Sequence, residues 1–134
     1  MIAKNISIEK FELQILALGI EDYIGIWEIF WYLRGKTKLT KNEYFILGVK
    51  IIQKLFMDDF IDLFQFIHKK EFIKIDKDAE IIKKFLSKNK KNIFDNKINP
   101  EVFLWMATNK KGKAFYLKNT STNSSQNQKK VAKF

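Results

Sequence analysis

Apolar residues recur at helical spacing through most of the first 57 positions. Ile8, Phe11, Ile15 and Leu18 lie three and four apart, Ser7 can cap the helix they predict, and Gly19 can supply the left-handed position that ends it. From Glu21 to Arg34 two interleaved sets, Ile20, Ile24, Trp27, Trp31 and Tyr23, Ile26, Phe30, Leu33, both keep helical spacing. They predict a central helix that is apolar around most of its surface, with Gly35 just past its last turn. Thr40-Lys41-Asn42-Glu43 has the form of a capping box, and it opens a helix from Lys41 to Met57, about 25 Å long. Phe45, Val49, Ile52 and Phe56 form its buried stripe, and Lys50 and Lys54 point elsewhere.

The period changes after Asp58-Asp59. Phe60 to Ile67 is short, aromatic and β-branched, and reads as a strand, with a second over Glu71 to Ile75. Asp76 or Asp78 can cap a helix carrying Ala79, Ile82, Phe85 and Leu86, whose outer face holds Lys83, Lys84 and Lys88. Asn89 to Pro100 reads as a loop and Glu101 to Ala107 as a buried strand, with Thr108 capping a last short helix. Residues 119–134 are rich in Ser, Thr, Asn, Gln and Lys, a composition expected to be disordered. The order predicts a helix-rich α+β domain over 1–118, with a small antiparallel sheet, followed by a disordered basic tail over 119–134.

The chain has 134 residues, of which 46% are hydrophobic. That supplies one core and leaves no room for a second domain. It has no Cys and one His, so a thiolate site, a multi-imidazole metal site and a disulfide are out of reach, and nucleophilic triads have only His68 to draw on. His68 stands beside Lys69 and Lys70, which disfavour its charged form, and reads as a loop residue without a catalytic role. The five glycines form neither a phosphate loop nor a dinucleotide fingerprint, and no cofactor is expected. The early apolar stretch Leu13 to Ile20 is too short for a signal sequence, and nothing reaches the roughly 20 apolar residues of a membrane span. A cytoplasmic protein without a membrane partner is the expectation.

Charge divides the chain. Residues 1–82 carry 12 basic and 13 acidic groups, whereas 83–134 carry 13 and 2, so the net +10 is entirely C-terminal. A cationic half attracts polyanions, above all nucleic acid. Two facts temper this. The chain has 24 Lys, 10 Asn, 19 Ile and 13 Phe against six Ala, five Gly, one Pro and one Arg. Translation of an AT-rich gene yields such a balance, which offers a second source for the lysines. And Arg34 is the sole arginine, whereas arginine's rigid fork is the commonest reader of guanine edges. Lysine can still neutralise phosphates in a salt-dependent, sequence-blind way.

Two sets of candidate residues follow. Glu21, Asp22 and Glu28 form an acidic cluster on the second helix. Glu21 and Glu28, two turns apart, share a face, which suits a partner surface better than paired-carboxylate catalysis. Asp58, Asp59 and Asp62 can meet a basic partner but lack the glycine and terminal Glu of a calcium loop, so no metal is expected. The basic candidates for nucleic acid are Lys50, Lys54, Lys83, Lys84 and Lys88, with Lys110, Lys111 and Lys113. The C-terminal ones join into one face if the last two helices adjoin. Trp27, Trp31 and Trp105 stand at core spacing.

Leu55-Phe56-Met57-Asp58-Asp59-Phe60-Ile61-Asp62-Leu63 resembles the junction in winged-helix domains where the third helix enters the first wing strand. Met106-Ala107-Thr108-Asn109-Lys110-Lys111-Gly112-Lys113 resembles the strand-to-helix stretch that closes many of them. The resemblance covers about residues 21–118 and implies a DNA-binding regulator. The sequence departs from it in two ways. Asp59 stands where a glycine is usual. A helix-turn-helix reader also needs two short helices before the strand, where Lys41 to Met57 reads as one; a turn at Gly48 would put Tyr44 and Lys54 where small and apolar residues are wanted. Asp22-Tyr23-Ile24-Gly25-Ile26-Trp27-Glu28 is similar to a segment of small stand-alone bacterial proteins, some of them toxin-immunity proteins. That likeness implies a binder that occludes a toxin domain and has no chemistry of its own. The leading expectation is therefore a non-enzymatic, immunity-type protein whose acidic, aromatic N-terminal half covers its partner. A winged-helix DNA-binding regulator is the alternative, a carboxylate-dependent hydrolase a distant third, and exposed aromatics make a homodimer reasonable.

Overall fold

The computed structural model describes residues 8–20, 22–67, 71–100 and 103–121. The Ser7 cap, His68 and the chain beyond Ser121 lie outside them. The first helix, α1, spans Ile8–Leu18. No described glycine has a positive φ, so Gly19 does not end α1 in the left-handed way. It serves close approach instead: a Cβ there would stand 2.7 Å from Met106 and 2.8 Å from the Thr108 hydroxyl. Its carbonyl accepts the Thr108 N–H at 2.9 Å.

The long helix expected from Glu21 is divided. Ile24–Gly25 forms a two-residue strand, β1, and α2 begins only at Ile26 and runs to Lys36. Glycine weakens a helix, and here a Cβ on Gly25 would meet the Trp27 ring at 2.2 Å. The Gly25 N–H is received by the Glu28 carboxylate at 2.9 Å, which caps the helix at its new start. Gly35 lies inside α2 rather than beyond it. Within α2, Ile26, Trp27, Ile29, Phe30 and Leu33 are buried, so the apolar surround read from the sequence holds over the shorter span.

Residues 37–40 then turn into α3, Lys41–Met57, so two helices precede the next strand. The capping box forms as read: the Thr40 N–H donates to Glu43 at 2.9 Å and the Glu43 N–H to the Thr40 hydroxyl at 3.3 Å. α3 passes straight through Gly48, where a Cβ would meet the Phe30 ring at 2.5 Å. Its end is a Schellman motif. The Phe60 N–H reaches back to Leu55 O at 2.9 Å and that of Asp59 to Phe56 O at 3.1 Å, with Asp59 at φ 65°. Asp59 thus adopts the conformation for which glycine is usual.

Strand β2 spans Ile61–Ile67 and β3 Glu71–Lys74. α4, Ala79–Lys88, is capped by Asp78, whose carboxylate accepts the Glu80 N–H at 2.9 Å. The expected loop after it contains a five-residue helix, α5, Lys90–Phe94, ended by Asn96 at φ 56°. β4, Leu104–Thr108, and α6, Lys110–Ser121, complete the described chain. Asn109, not Thr108, caps α6: its side-chain oxygen accepts the Gly112 N–H at 2.8 Å. The Thr108 hydroxyl instead donates to Leu16 O at 2.7 Å, tying β4 to α1.

The result is a helix-rich α+β fold with a small antiparallel sheet ordered β1-β4-β2-β3. The last described strand, β4, is therefore one of the sheet's two inner strands, with Met106 opposite both Ile24 and Leu63. α3 is the hub of the helices, packing on α1, α2 and α4. The core gathers Ile15 and Leu16 from α1, Phe30 and Leu33 from α2, Ile51, Ile52 and Leu55 from α3, and Ile61, Leu63 and Met106 from the sheet. No helix among the described residues is long and apolar enough to cross a membrane.

Candidate functional site

A β-strand sends alternate side chains to opposite faces, and β2 and β4 use that rule to build two unlike surfaces. Ile61, Leu63, Leu104 and Met106 are buried against the helices. The intervening Asp62, Phe64, Trp105 and Ala107 share the other face, where Phe64 stands opposite Trp105 and Asp62 opposite Ala107. All four are half-buried. Tyr23, just before β1 and 39% exposed, lays its ring 4.9 Å from that of Phe64. Trp105 is held in orientation on two sides. Its indole N–H donates to Pro100 O at 3.1 Å, and its ring meets the edge of Trp27 at 5.1 Å. Trp27 in turn packs edge-on against Phe103 and Trp31. The outer aromatic face is thus continuous with the core.

Carboxylates border this face. Asp22 is exposed beside Tyr23 and accepts the Tyr23 N–H at 2.7 Å. Asp62 lies within ion-pair reach of Lys74 at 3.5 Å and accepts from the Asn109 amide at 3.3 Å. Asp59 pairs with Lys77 at 3.5 Å and Asp58 with Lys54 at 3.2 Å. The three aspartates are therefore set around the α3–β2 corner, each matched by a lysine of the same chain. Pairs this exposed are worth little individually and can exchange partners.

The acidic cluster read on one helix does not form. α2 starts at Ile26, so Asp22 precedes it; Glu28 alone is helical and is engaged as the cap, and Glu21 lies outside the described residues. Among the described residues, no three His, Cys, Asp or Glu side chains come together as metal ligands would.

Lys54 is the basic candidate most altered by its surroundings. It bridges Asp58 and, at 3.3 Å, Glu12, whose side chain is 3% exposed. Partial burial opposes the charge on Lys54, but hydrogen bonds and attraction from Asp58 and Glu12 outweigh it and raise its ammonium above the ordinary lysine range. It is a structural cation bound to α1. Lys50 is exposed on α3, and Lys83, Lys84 and Lys88 are exposed on α4. Lys110, Lys111 and Lys113 occupy the first turn of α6, with the Lys111 ammonium 5.6 Å from the Phe60 ring centre. α4 packs on α3 whereas α6 packs on α1 and β4, so the two lysine groups belong to separate helix packings.

Sequence reasoning assigned Tyr23 and Trp105 to the core and left Phe64 as a strand residue. The signal for a second face was present in the alternation Ile61, Asp62, Leu63, Phe64, which separates a buried pair from an acidic and aromatic one. Comparison with protein-family models, with curated proteins and with solved structures found no match to this chain.

Proposed function

We propose that this chain is a non-enzymatic protein-binding module of the immunity type, winged-helix-like in arrangement and cytoplasmic, which occludes a toxin domain. The observation that carries the reading is the aromatic group of Tyr23, Phe64 and Trp105 on the outer sheet face, bordered by Asp22 and Asp62. Tyr and Trp concentrate binding energy at protein interfaces, because they bury large rigid surfaces at low entropic cost. The aspartates add complementarity to a basic partner, and the Asp62–Lys74 pair, with its lysine largely exposed, is weak enough to be displaced.

The test is titration of the purified chain against toxin domains encoded beside its gene. Binding tighter than micromolar supports the reading; failure of every such neighbour to reach that affinity refutes it.

A second reading, a DNA-binding regulator, has one observation in its favour. α2, a four-residue turn and α3 run into β2, and β4 lies between β1 and β2, an arrangement suited to a winged helix-turn-helix. Against it, Lys54 is tied to two carboxylates, and the exposed stripe of α3 includes Ile46 and Met57, 43% and 46% exposed. Steeply salt-dependent retardation of duplex DNA, with discrimination between sequences, would favour this reading over the first.

A further inference from the structure

On the side of α3 away from α1, Phe45, Ile46 and Val49 floor an open groove of about 360 Å³, with Glu80 and Lys83 of α4 on its far wall. The Gln53 amide donates to Ala79 O at 3.2 Å, tying α3 to the start of α4 at one end of the groove. Its floor is apolar and accessible: Ile46 is 43% exposed at the middle of α3. Its rim is cationic. Lys50 and Lys83 line it, and the Lys90 ammonium stands 5.1 Å from the Phe45 ring centre. One carboxylate, Glu80, shares the lining with Lys50 and Lys83.

We infer that the groove between α3 and α4 is a docking site for an acidic amphipathic helix of a partner protein. An amphipathic helix places apolar side chains at i, i+3, i+4 and i+7 along such a floor, and its flanking carboxylates would meet Lys50, Lys83 and Lys90. A nucleic acid would match the rim alone, because its phosphates have no use for the Ile46 and Val49 surface. The inference is independent of the toxin-binding reading, since the groove is built from α3 and α4 and shares no residue with the outer sheet face.

The experiment uses the full chain and a fluorescein-labelled 16-residue helical peptide with Leu at the four contact positions and Glu at the flanking ones. A second peptide of the same pattern carries Lys in place of Glu. Fluorescence anisotropy at about 50 mM salt is expected to show saturable binding of the Glu peptide with a Kd below about 100 µM, and binding of the Lys peptide at least about tenfold weaker. Ile46→Asp, and separately Lys50→Glu with Lys83→Glu, should each weaken the Glu peptide about tenfold or more. All three positions are exposed, so circular dichroism should be unchanged, which separates loss of the site from loss of the fold. Three outcomes would overturn the inference: no binding of the Glu peptide at 1 mM chain, equal binding of both peptides, or insensitivity to both variants. So would tight duplex DNA binding that Lys50→Glu with Lys83→Glu abolishes while Ile46→Asp leaves it intact; the surface would then be a phosphate-binding one.

Discussion

Gly112→Ala and Gly35→Ala are the same chemical change with opposite expected outcomes. At Gly112, in the first turn of α6, a Cβ would lie 2.0 Å from the Phe60 carbonyl oxygen. Relief requires α6 to move off the start of β2 by more than about 1 Å, and backbone on both sides resists it. That movement breaks the Asn109 N–H bond to Phe60 O at 3.1 Å and strains the Asn109 amide bond to Asp59 O at 2.9 Å. It also separates the stacked Phe60 and Phe115 rings, 4.4 Å apart. Two hydrogen bonds at about 1 kcal/mol each and an aromatic pair at about 1 kcal/mol make the loss about 3 kcal/mol. Alanine's better helix propensity returns up to about 1 kcal/mol, leaving a net destabilisation of about 2 kcal/mol. At Gly35, within the last turn of α2, a Cβ meets nothing within 4 Å, so only the propensity gain remains, about 0.5 kcal/mol this close to a helix end. Urea unfolding followed by tryptophan fluorescence should place the Gly112→Ala midpoint about 1 M below wild type and the Gly35→Ala midpoint slightly above it. Equal midpoints for Gly112→Ala and wild type, or a clear loss for Gly35→Ala, would refute the close-approach argument.

Asn96→Gly should stabilise the fold by about 0.5 kcal/mol, because Asn96 sits at φ 56° where glycine carries no steric penalty; thermal unfolding checks it. Lys54 has its folded pKa raised, so its contribution is complete below the unfolded lysine value of about 10.4 and fades as pH rises through the folded value. Wild type should therefore lose stability as pH rises above the ordinary lysine range more steeply than Lys54→Met, as measured by urea midpoints at increasing pH; parallel profiles would contradict the bridge to Glu12 and Asp58. Glu43→Ala removes half of the Thr40 capping box, the acceptor of the Thr40 N–H, and should lower the midpoint in the same unfolding assay; an unchanged midpoint would contradict the box.

The parts legible in the sequence were those governed by contiguous residues. Thr40 and Glu43 announce their box, since each depends on a neighbour three positions away. The cap of α4 was open between Asp76 and Asp78, of which Asp78 is used. Of the expected α3 stripe Phe45, Ile52 and Phe56 are buried, whereas Val49 is half-buried and the fully buried Leu47, Ile51 and Leu55 were missed. β1 was not legible, because Ile24 and Gly25 sit inside a helical period and become a strand only by pairing with Met106 and Trp105, some 80 positions later. α5 was hidden by its five-residue length and by the polar residues around it. Thr108 and Asn109 are both good caps, and the choice between them was made by Leu16 O, which takes the Thr108 hydroxyl. The candidate surface was half legible: the carboxylates and lysines were singled out, but their mutual pairing and the grouping of Tyr23 with Phe64 and Trp105 arise from the register of the sheet.

If the outer sheet face carries partner binding as proposed, Tyr23→Ala is the sharpest probe of it, because Tyr23 is exposed and its loss leaves the buried core intact. Isothermal titration against a protein domain that binds the wild-type chain under the proposed function should show the variant at least about 30-fold weaker than wild type, a loss of about 2 kcal/mol. Unchanged affinity in a variant whose unfolding midpoint also matches wild type would contradict it.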